Sequence, residues 1–299
     1  TEPIEIGGTT QFFLDDRLVD NRWSMKPKRE EVLRVFHAPV KHPGNPLIAS
    51  GAGYVTVARD PEGGFKMWYQ THLWAEDGEE GSDYAVAYAE SDDGLAWTRP
   101  KLGLHEWNGS KENNIVAKGW GSKRASGPQI VVAPEADRRG HRYLLAYRTG
   151  GVREASGIRI AGSADGIHWD EADDSLIQKL HSDTQNSIAW DEASGEYVMF
   201  CRPKDRYLAA GRTDALLDGE SRRIARMSGK SLWEPWSGSP ETILIPDELD
   251  MERGFNRFYG MNVRRHAGIF FGCLWPFKLN TDIVTELAWS HDGWNWQRF

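Results

Sequence analysis

The chain has 299 residues and a formal net charge of −8, and it contains 14 tryptophans and 31 glycines. This acidic balance, without a basic stripe to neutralise phosphates, argues against nucleic acid as a partner. No apolar run approaches the length of a membrane span, so a membrane partner is not expected either. The length is ample for one all-β domain with a sizeable core.

Residues 1–50 form a lead-in to a series of repeats. The stretch from Phe12 to Val19 predicts a short hairpin with Asp15 and Asp16 at its turn. The chain begins Thr1-Glu2-Pro3, which is not a signal-peptide pattern. A cleaved signal would leave no trace in this sequence, so the compartment stays open, and a secreted or periplasmic location is favoured if such a signal was removed.

Four strand-rich segments follow, at approximately 51–103, 125–172, 183–237 and 255–299. In the first segment, residues 54–58, 65–70 and 84–90 read as strands because apolar residues alternate or cluster between turn signals. A short fourth strand is predicted at residues 96–99. The later segments repeat this order of strands and turns.

A pattern Ser-x-Asp-Gly-x-x-Trp recurs near the end of these segments. It begins at Ser91, Ser163 and Ser290, and a degenerate copy that lacks Asp-Gly begins at Ser228, so the serines are 72, 65 and 62 residues apart. Asp-Gly favours a tight turn, and the Ser and Asp side chains can accept hydrogen bonds from the turn's own N–H groups. The motif therefore predicts structural hairpins. The surplus of tryptophan fits these hairpins, or sugar-stacking surfaces.

Units of about sixty residues with four antiparallel strands are typical of β-propeller blades. A solenoid of strands is the alternative, but its coils are shorter and lack meander turns. The sequence thus predicts an all-β propeller that occupies residues 1–299 as one domain. Cys201 and Cys273 end equivalent apolar runs, which favours buried free thiols over a disulfide.

Short sequence motifs spread over nearly the whole chain carry a resemblance to known protein families. They are Phe13-Leu14-Asp15-Asp16, Lys66-Met67-Trp68-Tyr69, Asn113-Asn114-Ile115-Val116, Asp183-Thr184-Gln185-Asn186, Tyr259-Gly260-Met261 and Leu287-Ala288-Trp289-Ser290. Together they resemble the five-bladed β-propeller glycosidases of glycoside hydrolase families 32 and 43, most closely bacterial proteins grouped beside family 32. The resemblance implies a glycosidase that acts on a poly- or oligosaccharide.

The chain departs from those families in two respects. The Asn-Asp-Pro-Asn nucleophile motif of family 32 is absent, so its retaining, fructose-directed chemistry is not carried over. Arg59-Asp60-Pro61 matches an Arg-Asp-Pro motif of that family, but it falls where a turn is expected. Only four blades are visible; either a fifth follows beyond this sequence, or the strands of residues 1–50 supply it.

Propeller geometry predicts where reactive groups can meet. The loops that enter the inner strands share one end of the channel with the loops between second and third strands, and the Asp-Gly hairpins lie at the other end. Asp93, Asp165 and Asp292 are thereby excluded from a site at the channel mouth. Glycosidic cleavage needs two carboxyl groups that flank the bond. The catalytic candidates are Asp183, Asp16 and Glu252; the alternatives are a strand-entry cap for Asp183 and solvated loop carboxylates for the other two.

Other side chains around the mouth are candidates for sugar binding, because they can stack on a ring or donate to hydroxyl and carboxylate groups. They are His72, Trp74, Arg148, Asn186, Arg202, Tyr259 and Trp275. No cofactor is expected, and a structural Ca²⁺ in the central channel is left open. The sequence predicts a glycoside hydrolase, with a non-catalytic, lectin-like propeller as the alternative.

Overall fold

The computed structural model describes residues 5–18, 35, 37, 39–48, 51–73, 83–118, 125–149, 157–202, 222–279 and 281–298. The chain divides into two compact units, Thr1–Asn45 and Pro46–Phe299. In the first unit, Asp16–Leu18 forms a single 3₁₀ turn, and the Arg17 N–H donates to Asp15 Oδ1 at 3.0 Å. The hairpin predicted here is therefore wrong over residues 12–18, because the Asp15 side chain stabilises a helical turn instead.

The second unit contains four antiparallel sheets arranged as a β-propeller, which confirms the predicted fold class. The first blade holds β1 to β4 (Gly53–Arg59, Phe65–Leu73, Asp83–Ser91, Ile115–Ala117). The second holds β5 to β8 (Ser126–Val131, Tyr143–Thr149, Gly157–Ser163, Trp169–Gln178). The third holds β9 to β12 (Ser187–Asp191, Glu196–Cys201, Ile224–Gly229, Glu241–Leu244). The fourth holds β13 to β17 (Arg257–His266, Ile269–Lys278, Asp282–Ile283, Glu286–Ser290, Gln297–Arg298), with β15 pairing only with β14.

Two short helical elements complete the described part of this unit. A 3₁₀ turn occupies Glu135–Asp137, and helix α1 (Glu248–Glu252) precedes β13. No helix in the described ranges has the length and apolarity that crossing a membrane requires. A fifth blade stays a prediction, since the described residues form four.

The first blade differs from prediction at its fourth strand. After the hairpin, Thr98 makes a single bridge to Glu90, and the chain pairs with β3 again only at Ile115–Ala117. The strand predicted at residues 96–99 is therefore wrong. Pro100 explains the break, because proline has no N–H with which to continue the ladder.

The apolar core lies between successive blades. Trp68 of β2 packs with Tyr143 and Leu145 of β6 in one cluster. Further clusters join the second blade to the third and the third to the fourth, as where Phe200 of β10 packs with Phe270 of β14. Burial of apolar area between sheets contributes about 25 cal/mol per Å² to stability, so each blade depends on its neighbours.

The Ser-x-Asp-Gly turns are structural, as predicted. In each intact copy the Ser Oγ accepts from the Gly N–H at 2.9 Å and donates to the Asp Oδ1 at 3.0–3.1 Å. The same Asp Oδ1 accepts from two further backbone N–H groups. Partial burial works against ionisation of Asp292, but hydrogen bonds from Asn295 and Trp294 outweigh it and lower its pKa to about 2.

Strand direction separates the two ends of the propeller. The turn after β1 and the hairpin after β3 lie together, since a Cβ added to Gly64 would meet the Ser91 carbonyl oxygen at 2.6 Å. We call this the hairpin end and the opposite end, where inner strands begin, the loop end. Asp60 also belongs to the hairpin end: it forms a 2.9 Å ion pair with Lys66 and a 3.1 Å ion pair with Arg142 of the next blade.

Both cysteines are free thiols, as predicted, but their burial differs. Cys201 is fully enclosed, and burial raises its pKa far above the usual range. Cys273 is exposed, which corrects the prediction that both are buried. Its position in β14 opposite Asn262 turns the side chain out of the apolar cluster between blades.

Candidate functional site

Asp183 is the centre of the candidate site at the loop end. It precedes β9, and its carboxylate is 64% exposed. Arg148, near the end of β6, places Nη2 3.0 Å from Asp183 Oδ1, and the arginine side chain itself is only 7% exposed. The Arg148 Nε donates to Ser126 Oγ at 3.1 Å, which fixes the guanidinium under the carboxylate. The result is an accessible acid held in place by a buried cation.

Arg202 links the third and fourth blades next to Asp183. Its guanidinium donates to the backbone oxygens of Asp183 and Tyr259, the latter at 2.7 Å, and lies 3.8 Å from Asp183 Oδ2. The backbone N–H of Arg202 donates to Ser182 Oγ at 2.9 Å. Burial, and then the nearby Arg222 cation, lower the pKa of Arg202. Arg202 therefore fixes both the backbone and the charge of the Asp183 segment.

Aromatic side chains border this charged group. The guanidinium carbons of Arg202 and Arg222 each lie 4.8 Å from the centroid of the Tyr259 ring. Tyr54 and Trp275 have their ring centroids 6.1 Å apart at 45°. Burial, and then the neighbouring Tyr259, raise the pKa of Tyr54 far above its usual range, so this hydroxyl stays protonated. Aromatic surfaces beside hydrogen-bonding groups suit a sugar ring, which has an apolar face and a polar edge.

Tyr54 also has an unusual backbone. Its φ is +49°, in the left-handed region that bulky residues rarely adopt, and β1 carries a register shift between Gly53 and Thr56. Strain of this kind is concentrated at functional sites. Sequence reasoning missed Tyr54 and Arg222. One signal could have found Tyr54: it lies near the start of the inner strand β1, which is the position that the predicted site residue Tyr259 has in β13.

The other predicted site residues lie as follows. Asn186 is buried, and its amide donates to the Ser182 and Thr184 carbonyl oxygens at 3.4 and 3.1 Å, so it supports the turn that carries Asp183. His72 is exposed in β2, with its ring 4.8 Å from that of Tyr84. Glu252 is exposed at the end of α1.

Two predicted residues cannot be assigned to the site. Asp16 belongs to the 3₁₀ turn of the first unit, and only its backbone is described. Trp74 lies outside the described residues. The structure thus brings together Asp183, Arg148, Arg202, Tyr259 and Trp275. The substrate contacts predicted for these residues, and for His72 and Asn186, stay predictions.

The described part of the chain gives Asp183 ion pairs with arginines and does not bring a second carboxylate against it. Within the same ranges, no group of three His, Cys, Asp or Glu side chains could hold a metal ion. The channel Ca²⁺ that the sequence left open stays a hypothesis.

Several solved structures have a similar fold. A thermostable family-43 glycoside hydrolase is 15% identical, over 85% of this chain and 74% of that one, with a TM-score of 0.55. An N-acetylgalactosamine deacetylase from F. plautii, solved in complex with blood group B trisaccharide, is 15% identical over 83% and 69%, with a TM-score of 0.54. A family 117 glycoside hydrolase from Zobellia galactanivorans is 12% identical over 87% and 71%, with a TM-score of 0.51.

At these identities the likeness establishes the propeller fold alone. The sequence matches no protein-family model and no curated protein. Particular closeness to family 32 stays a prediction.

Proposed function

We propose that this protein is a carbohydrate-active enzyme, specifically a glycoside hydrolase that binds a poly- or oligosaccharide at the loop end of the propeller. The observation that supports this most is the exposed Asp183 carboxylate, fixed by Arg148 and Arg202 and bordered by Tyr54, Tyr259 and Trp275. The propeller-fold hydrolases reported above add support from the fold.

In this proposal Asp183 is the ionised member of a carboxyl pair. Two arginines beside it suit a group that acts as base or nucleophile, whereas the proton donor needs a different environment. The aromatic rings would orient the sugar so that its anomeric carbon faces Asp183. For the second carboxyl group, the candidates from the sequence are Asp16 and Glu252.

The test is the release of reducing sugar from a panel of plant and algal oligosaccharides. Asp183→Asn keeps the size of the side chain and removes its charge, so activity should fall by about 10³-fold or more. Asp92→Asn, which changes an exposed acid at the hairpin end, is the matched control and should keep full activity. Full activity of a folded Asp183→Asn protein would refute the assignment.

A second candidate is a carbohydrate-binding propeller that does not cleave its ligand. The observation that favours it is the single carboxylate among described site residues with aromatic surfaces around it. Wild-type protein that binds oligosaccharides in calorimetry but releases no reducing sugar would establish this alternative. Glu252→Gln distinguishes the two candidates further. If Glu252 is the second carboxyl group of a hydrolase, this substitution should lower turnover and leave oligosaccharide binding unchanged.

A further inference from the structure

A cavity of about 370 Å³ opens at the hairpin end, where three inner strands end. Its wall includes Val132 just after β5, Ala189 and Trp190 in β9, and Arg264 in β13. This volume is in the range of sites that enclose small organic molecules. The cavity lies at the opposite end of the inner strands from Asp183, so it is not part of the candidate site.

Arg264 is a half-buried cation in this wall, and no ion pair or hydrogen bond joins its side chain to the described residues. Burial lowers the pKa of Arg264. The nearby carboxylates of Asp191 and Glu192 are paired with Arg265 instead, the latter at 2.9 Å. All four turns between first and second strands at this end are described, and none provides a partner for Arg264.

An unpaired cation in a half-buried position is costly for the protein alone. An anion that enters the cavity would remove this cost and gain charge-assisted hydrogen bonds. The Arg264 guanidinium is therefore available to bind an anion from solution.

The rest of the wall determines what kind of anion fits. Val132, 65% exposed, contributes apolar surface, as do Ile130 and Ala189, and Trp190 is half-buried with its ring 4.8 Å from Tyr197. The amide of Gln129 is already engaged with β9, because it donates to Ser187 Oγ and Ile188 O and accepts from Ile188 N–H. The wall also contains Glu192 and Arg265, which form an ion pair with each other at 2.9 Å. A sugar would find few free hydrogen-bonding groups here, and an inorganic anion would leave the apolar wall uncovered.

We propose that this cavity binds a small organic carboxylate with an apolar body, whose anionic group pairs with Arg264 while its body lies along Trp190 and Val132. The site does not depend on the proposed function at the loop end. Two buried side chains separate the cavity from the candidate site along the strands. Gln129 joins β5 to β9. Ser187 Oγ donates to the Val263 backbone oxygen at 3.0 Å and accepts from the Val263 N–H at 2.8 Å.

Benzoate is a suitable probe, with its neutral analogue benzamide and inorganic sulfate as comparisons. Binding to the whole protein would be measured by ligand-observed NMR and calorimetry. We expect benzoate to bind about tenfold or more tightly than either comparison compound, and Arg264→Gln to weaken benzoate by about tenfold or more. Arg59→Gln removes an exposed arginine from the same end outside the cavity and should leave binding unchanged.

Two further measurements keep the proposal falsifiable. Val132→Trp fills the cavity from its exposed rim while Arg264 stays, and it should also abolish benzoate binding. Ligand-free Arg264→Gln should be at least as stable as wild type, since it loses an unpaired charge. Equal binding of benzoate and benzamide, stronger binding of sulfate, undiminished binding to Arg264→Gln, or a destabilised Arg264→Gln protein would each overturn the proposal.

Discussion

Arg202 and Tyr259 interact in two ways, although they belong to different blades. The Arg202 guanidinium donates a 2.7 Å hydrogen bond to the Tyr259 backbone oxygen, and its central carbon lies 4.8 Å from the Tyr259 ring centroid. Because the same guanidinium also bonds the Asp183 backbone, one side chain sets the spacing between Asp183 and the aromatic part of the site.

Replacing Arg202 should therefore disturb both stability and the site. Arg202→Met keeps much of the buried volume but leaves the Asp183 and Tyr259 carbonyl groups without their donor, at a cost of about 2 kcal/mol in unfolding free energy. Urea unfolding measures this cost. Arg59→Met, at an exposed arginine stacked on Phe65, should change stability by less than about 0.5 kcal/mol. Equal effects of the two substitutions would contradict the role given to Arg202.

The Asp292 turn should make stability depend on pH. Its folded-state pKa of about 2 lies below the value of the unfolded chain, so the ionised form favours the folded state. The contribution is complete above about pH 4 and disappears as pH falls through about 2. Asp292→Asn should thus cost about 1 kcal/mol at pH 7, discounted for solvent exposure, and almost nothing at pH 2. Thermal unfolding of wild type and Asp292→Asn across this pH range checks the sign.

Gly166 and Gly195 offer a matched test of packing against backbone strain. Both have positive φ, +82° and +68°, but a Cβ at Gly166 would meet buried Trp68 at 2.5 Å, while one at Gly195 meets nothing within 4 Å. Gly195→Ala should cost about 1 kcal/mol for the left-handed backbone. Gly166→Ala adds the clash and should cost about 2–4 kcal/mol. Chemical denaturation measures both costs. Equal losses of unfolding free energy in the two variants would contradict the expected clash, because they would show that Trp68 shifts to accept the added methyl group.

The two thiols should react differently. Cys273 is exposed and Cys201 is fully buried, so a thiol reagent should modify one cysteine in the native protein and two after unfolding. Native Cys273→Ser should show no rapid reaction. Two rapidly reacting thiols in the folded wild type would contradict the burial of Cys201.

The sequence predicted features that depend on residues close together in the chain better than features that depend on residues far apart in it. The turn at Ser91 was predictable because its hydrogen bonds join residues at most three apart. The return to β3 at Ile115 was not, since it depends on a pairing across a long connection. Asp183, Arg148 and Arg202 were expected at one end from strand order alone. Tyr54 was missed because an aromatic residue in an inner strand looks like core, and only the fold places its ring beside Trp275.

The side chains of Gln129 and Ser187 have a consequence for motion. They join β5, β9 and β13, and among the described strands no ladder of backbone hydrogen bonds connects one blade to the next. Three of the four inner strands are thereby coupled into one stiff body. Capture of a ligand at the rim must then proceed through rearrangement of side chains and loops, since hinging of one blade away from another would break these buried bonds.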